Sequence, residues 1–188
     1  MLPAIVSGYS SDPYYVKSYN IFSRMTASIQ NKILIKPFEH RGNWHDNTRM
    51  KPEIILEFLL QEKSPVMWID IDAEVYKTVD LDIPNNIDMM GIKQEWGPRR
   101  NWCVGTILFN YTENAIGILE DWINSCRTSG GTDEAHLEKI WVEKWHNKCN
   151  TAILDNKFFI MEKIHFKDYN TVIMHKSSGN ARKKVPVR

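Results

Sequence analysis

The chain has 188 residues, 43% hydrophobic and 25% charged, which is enough to bury a substantial core and is the balance of a soluble globular protein. A formal net charge of +1 gives no bulk electrostatic case for nucleic acid or an anionic membrane as partner. Cys103, Cys126 and Cys149 are odd in number, far apart and without a C-x-x-C pair, which speaks against a disulfide framework or a zinc site and for a reducing compartment.

At the N-terminus, Met1 to Ser7 has neither a basic region nor a long apolar core, and no apolar run approaches membrane-spanning length. No signal peptide or membrane span is therefore expected, and the expected location is cytoplasmic. Ala4-Ile5-Val6 reads as a first strand, and the Ser/Asp cluster before Pro13 as a helix start. A helix is expected from Tyr14 to Ile29. Lys32 to Ile35 is a second strand, and the polar stretch from Pro37 to Asn47 reads as a loop. Met50-Lys51-Pro52-Glu53 opens a second helix, with Pro52 tolerated in its first turn.

The next stretch organises the chain. Val66-Met67-Trp68-Ile69 is an apolar run too short for a helix, bounded by Pro65, and it reads as a buried strand. It ends on Asp70 and Asp72, carboxylates able to share a hard cation. The order strand, helix, strand, helix, strand implies βαβ units and a parallel sheet, whose ligands bind outside the carboxyl ends of the strands. Neither G-x-G-x-x-G nor G-x-x-x-x-G-K-[ST] occurs, so a metal is the expected phosphate handler.

Beyond Asp72 the pattern changes. Ile87 to Ile92 and Val104 to Phe109 read as strands, separated by an aromatic, basic loop with Trp96, Arg99 and Arg100. Helices are expected from Glu113 to Cys126 and from Asp133 to Trp145, the second capped by Thr132. Phe158 to Met161 and Thr171 to Met174 are late strands, followed by a basic tail. No repeats or linkers interrupt residues 1–188, so a single domain is expected.

In this order the motifs resemble those of compact nucleotide-sugar glycosyltransferases of the GT-A fold, with retaining galactosyltransferase and glycogenin-like members nearest. Ser7-Gly8-Tyr9 resembles the nucleotide-binding edge of the family, and Asn47 to Lys51 its basic stretch near the nucleotide. Trp68-Ile69-Asp70-Ile71-Asp72 resembles the D-x-D motif, and Asn101 to Asn110 the strand beside the sugar. Gly130 to Glu134 resembles the helix start that brings an acidic residue to the reacting carbon. His175, Gly179 and Lys183 resemble the late H-x-x-G-x-x-K motif, each step here one residue longer, and Arg182 or Lys176 can stand in for Lys183.

The resemblance implies an α/β fold with a mainly parallel central sheet flanked by helices. It implies a hexosyltransferase that moves sugar from a nucleotide-diphosphate donor, a UDP-sugar, to a glycan or other hydroxyl acceptor. The cofactor implied is Mn2+ or Mg2+, and an added imidazole favours Mn2+. Asp72 is the expected direct metal ligand, Asp70 a ribose or metal-water contact, and His175 a third ligand. Ser7, Gly8, Tyr9, Lys51, Gly179, Arg182 and Lys183 are the expected nucleotide contacts. Asp133 and Glu134 are the catalytic candidates. The late His and Lys favour a retaining outcome, although the pair Asp133-Glu134 stands where relatives often have Asp-Gln, which leaves the stereochemistry open.

Two other readings compete. Haloacid-dehalogenase-like phosphatases also place D-x-D after an apolar strand, but they want Thr or Val where Glu74 stands. A non-catalytic nucleotide- or carbohydrate-binding module would share the fold and release no nucleotide.

Overall fold

A computed structural model describes residues 1–93, 102–161 and 168–175. Trp96, Lys176, Gly179, Arg182 and Lys183 lie outside the described residues. Strands β1 (Ala4–Ser10), β2 (Ile33–Phe38), β3 (Val66–Ile69), β5 (Met89–Lys93), β6 (Trp102–Phe109) and β7 (Thr151–Ile153) form one sheet. The order is β2-β1-β3-β6-β5-β7, and a second sheet has the order β4-β9-β8, from Glu74–Val75, Ile173–His175 and Ile160–Met161. Helices are α1 (Pro13–Thr26), α2 (Trp44–Thr48), α3 (Lys51–Glu62), α4 (Glu113–Thr128) and α5 (Asp133–Ile140).

The large sheet is mostly parallel, with β1 parallel to both β2 and β3 and β5 parallel to β7. Strand β6 is the exception, antiparallel to both β3 and β5. Its direction follows from its connection. Residues 94–101 are too few for the dozen or more that a parallel crossover needs, so β5 and β6 pair as a hairpin.

Both faces of the sheet are covered, and side chains alternate between them. Val66, Trp68, Ile107 and Phe109 join the core under α3 and α4, which includes Ile54, Leu59 and Trp122. Met67, Ile69 and Leu108 face the opposite core with Phe22 of α1 and Ile173 of β9. Burial on both faces is why the strand sequences read as continuous apolar runs rather than as alternation.

Helix starts follow local chemistry. Asp12 accepts from the Tyr14 amide at 2.8 Å ahead of Pro13, Thr112 from Ala115 at 3.1 Å, and Thr132 from Ala135 at 3.2 Å. Helix α3 stops at Lys63, whose left-handed φ of 50° lets its N–H bond Leu59 O.

Several expected boundaries move. Helix α1 ends at Thr26, not Ile29, and β2 runs through Pro37 to Phe38, with α2 inside the expected loop. The helix expected to reach Trp145 turns π-helical from Trp141 to Trp145. A Cβ on Gly117 would lie 2.7 Å from the Trp145 ring, so that ring needs the glycine to dock on α4. Phe158 belongs to a 3-10 turn, and the last strand begins at Ile173 rather than Thr171. Strands β4 and β7 were not expected from the sequence.

Candidate functional site

The carboxyl ends of β1 and β3 share one edge of the sheet, because the two strands are parallel. The reversed β6 begins at that same edge. Helices α3 and α5 bring their N-termini there, and β9 its last residue. A cavity of about 320 Å³ opens at this place, lined by Tyr9, Asp70, Asp72, Gly105, Glu134 and His175 among others. Clefts of this size suit small ligands. Its lining combines aromatic side chains, Tyr9, Tyr15, Phe38 and Trp44, with the acidic and imidazole groups.

Asp70 follows β3 directly, and its amide continues the ladder by donating to Gly105 O at 2.9 Å. A tight turn then forms, Ala73 N–H donating to Asp70 O at 2.9 Å, so Asp70 and Asp72 project from one short loop. Burial, and then the neighbouring charge of Asp70, push the Asp72 carboxyl up to about 7. Tyr14 of α1 donates weakly to Asp72, at 3.4 Å.

His175 reaches the site through the small sheet. Strand β4 starts two residues after Asp72 and pairs Glu74 with Met174, which sets His175 beside the D-x-D loop. The imidazole is buried, packs at a tilt of 34° against Phe159 with ring centroids 4.5 Å apart, and contacts Thr106 Oγ1 through Nε2 at 2.7 Å. Burial lowers its pKa to about 4, the charge of Asp70 opposing, so the ring is neutral at pH 7. Gly105 sits between the two groups. A Cβ there would lie 3.2 Å from Asp70 Oδ2 and 3.2 Å from His175 Nδ1.

Lys51, an expected nucleotide contact, is among the residues that line the cleft. Its side chain is buried under the cleft floor, with Nζ 2.8 Å from Asp133 Oδ2, 3.0 Å from Asp70 Oδ1 and 3.0 Å from Val104 O. Burial alone would lower its pKa, but Asp133 and then Asp70 outweigh that and raise it, so Lys51 stays charged. Lys51 thus donates to Val104 O and neutralises the two carboxylates as an ion-pair partner, while Asp133 Oδ2 keeps no hydrogen bond of good geometry. Asp133 is its partner, 4% exposed, at the start of α5. Glu134, the next residue, is half-buried, and burial followed by the Asp133 charge raises its pKa.

The remaining expected contacts divide. Tyr9 lines the cleft and stacks on Tyr19 at 4.5 Å. Ser7 is fully buried and outside the lining, with its hydroxyl donating to Ile69 O at 2.7 Å to tie β1 to β3. Gly8 lines the cleft but is held small from behind, since a Cβ would meet Ile54 Cδ1 at 2.6 Å. Sequence reasoning missed Trp68, Thr106 and Tyr14 as partners of Asp70, His175 and Asp72. For Trp68 a signal existed, because residues two apart on a strand share a face.

Among the described residues, no group of three or more His, Cys, Asp and Glu side chains is gathered as a metal cage. The donors nonetheless fit a divalent cation in kind. Asp70 Oδ2 and His175 Nδ1 flank the Gly105 niche, and the unfavourably buried charge of Asp72 is one that a cation would relieve. Mg2+-type ions are usually held by one or two carboxylates together with substrate phosphates, not by all-protein cages.

The sequence matches no family model and, at a significant level, no curated protein. Solved structures do match. A glycosyltransferase involved in the glycosylation of the major capsid of PBCV-1 superposes with a TM-score of 0.68 at 16% identity, over 92% of each chain. The glycosyltransferase GlyE of Streptococcus pneumoniae TIGR4 gives 0.60 at 12% identity, over 92% of this chain and 54% of GlyE. Its apo form gives 0.62 at 10% identity, over 93% and 54%. The chain therefore spans about half the length of GlyE and nearly all of the first of these proteins, and its fold is that of these glycosyltransferases.

Proposed function

We propose that this cleft transfers a glycosyl group from a nucleotide-diphosphate sugar, a UDP-sugar, to a glycan or other hydroxyl acceptor. The observation that carries the reading is the convergence of Asp70, Asp72, His175 and Glu134 on one cleft at the carboxyl edge of β1 and β3. In the reaction the bond between the anomeric carbon and the diphosphate oxygen breaks, and its electron pair leaves with the nucleoside diphosphate. The acceptor oxygen bonds to that carbon and gives up its proton. A Mn2+ or Mg2+ ion held by Asp70, Asp72 and His175 would supply Lewis-acid stabilisation of the leaving diphosphate.

The chain's own groups have separate tasks. The neutral His175 offers Nδ1 to the cleft while Thr106 holds Nε2. The ion pair with Lys51 withholds Asp133 from proton transfer. Glu134, outside that ion pair, is the carboxylate placed to take the acceptor proton or to stabilise positive charge at the anomeric carbon, and its raised pKa makes it a stronger base than an ordinary carboxylate. The aromatic part of the lining, with Tyr9, takes the nucleoside. Retention of configuration is the outcome we assign, on the resemblance around His175, and the anomeric proton coupling of the product tests it.

The experiment for the whole reading is a thermal-shift panel of nucleotide sugars with and without Mn2+, followed by an assay for released nucleotide. A UDP-sugar is expected to raise Tm more with Mn2+ than without, and to be hydrolysed slowly when acceptor is withheld. A protein that no nucleotide stabilises refutes the reading, and one that binds but never releases nucleotide is a binding module.

A further inference from the structure

The two oxygens of Asp70 are treated unequally. Oδ1 accepts from the indole Nε1–H of Trp68 at 2.7 Å and lies 3.0 Å from Lys51 Nζ. Oδ2 faces the niche left by Gly105, across from His175 Nδ1. Trp68 is 4% exposed in the middle of β3, and the Lys51 ammonium sits 5.4 Å above its ring centroid. The terminal torsion of an aspartate is broad, so the plane of an unpinned carboxylate takes a wide range of orientations. Lys51 cannot fix that torsion, because an ammonium is a point charge without a preferred direction and this one also serves Asp133 and Val104. The indole N–H can, because it is rigid, buried and single.

We infer that Trp68 is a positioning residue, whose N–H pins Asp70 Oδ1 and so turns Oδ2 toward His175 Nδ1, where a divalent cation is received. This rests on the cation reading above. Outer contacts of this kind typically change metal affinity by about tenfold or more when removed.

The test changes one atom. Trp68 is replaced site-specifically by β-(3-benzothienyl)alanine, in which sulfur stands in place of N–H with the ring shape kept, and separately by 5-fluorotryptophan, whose N–H is retained and more acidic. Trp68→Phe serves as a second variant without the N–H. Mn2+ affinity is measured by calorimetry in the presence of UDP, beside the Tm of the unliganded proteins.

The benzothienyl protein and Trp68→Phe are expected to bind Mn2+ about tenfold more weakly. The fluorinated protein should bind at least as tightly as wild type, and both ring analogues should keep the unliganded Tm. Equal Mn2+ affinity for the two ring analogues overturns the inference and reduces Trp68 to packing, while leaving the cation reading in place. A wild type that takes up no Mn2+ with UDP overturns the cation reading, and this inference with it.

Discussion

At the scale of single residues, Gly105 and Glu134 carry the sharpest expectations. A Cβ at position 105 would meet His175 Cε1 at 3.1 Å, and Asp70 Oδ2 and His175 Nδ1 at 3.2 Å, all tighter than normal contacts. Both neighbours belong to the proposed cation site, and neither can shift without leaving it. Gly105→Ala is expected to cost about 1 kcal/mol of stability, as small overpacking does. It should cost far more in turnover, and calorimetry should show Mn2+ affinity falling with it. Glu134→Gln isolates the other half of the cleft. It removes an acidic group of the cleft that lies outside the Lys51 ion pairs, so kcat should fall by about 10²-fold, the usual scale for losing a positioned base, with Mn2+ binding intact. Asp133→Asn is the contrast. That residue is an ion-pair partner, so the substitution should register first in stability.

At the scale of elements, Lys51 joins four of them: α3 on which it sits, the end of β3 through Asp70, β6 through Val104 O, and the start of α5 through Asp133. Lys51→Met leaves Asp133 buried at 4% exposure with no counter-charge, while Asp70, 34% exposed by side chain, can rehydrate. Breaking a buried pair from one side costs about 3–5 kcal/mol. Denaturant unfolding should show a loss of that order, and adding Asp133→Asn should restore part of it. The sequence could not reveal this role, because Lys51 and Asp133 are far apart along the chain and their pairing depends on how α3 and α5 dock. Strand β3 was legible to the residue because burial on both faces leaves a plain apolar run. The Asp70-Ile71-Asp72 loop was legible because a strand of that kind ends at a ligand edge. Strand β4 is only Glu74–Val75 and exists through its pairing with β9, a non-local contact that no local pattern announces. Strand β7, Thr151–Ile153, is a short, half-buried edge without alternation. The reversal of β6 was implicit in the shortness of 94–101, a constraint that the strand pattern alone does not express.

At the scale of the whole molecule, the site leaves a signature in how stability depends on pH. Asp72 has a folded pKa near 7 against a model-peptide value of 3.8, so between those values the folded protein holds a proton that the unfolded chain has lost. The stability it contributes is present below about pH 4 and is lost as pH rises through 7. His175 works in the other sense. Its folded pKa of about 4 lies below the ordinary 6.5, so the unfolded chain takes up a proton first and stability is lost as pH falls from 6.5 toward 4. The two slopes oppose each other between pH 4 and 6.5, and only the Asp72 slope remains from there to about 7. The unliganded protein should therefore lose stability from pH 6.5 to about 7, by less than about 0.7 kcal/mol once the partial exposure of Asp72 is discounted. Asp72→Asn removes that loss and should be more stable than wild type at pH 8. With saturating Mn2+ and UDP the wild-type loss should also vanish, because the ionised carboxylate is then the form that binds, whereas Asp72→Asn should gain little from the cation. Tm measured against pH, with and without Mn2+ and UDP, checks all three curves at once. A wild-type Tm that is flat through neutrality without ligand, or an Asp72→Asn protein stabilised by Mn2+ as strongly as wild type, would remove Asp72 from the cation site and leave Asp70 and His175 to hold it with the phosphates.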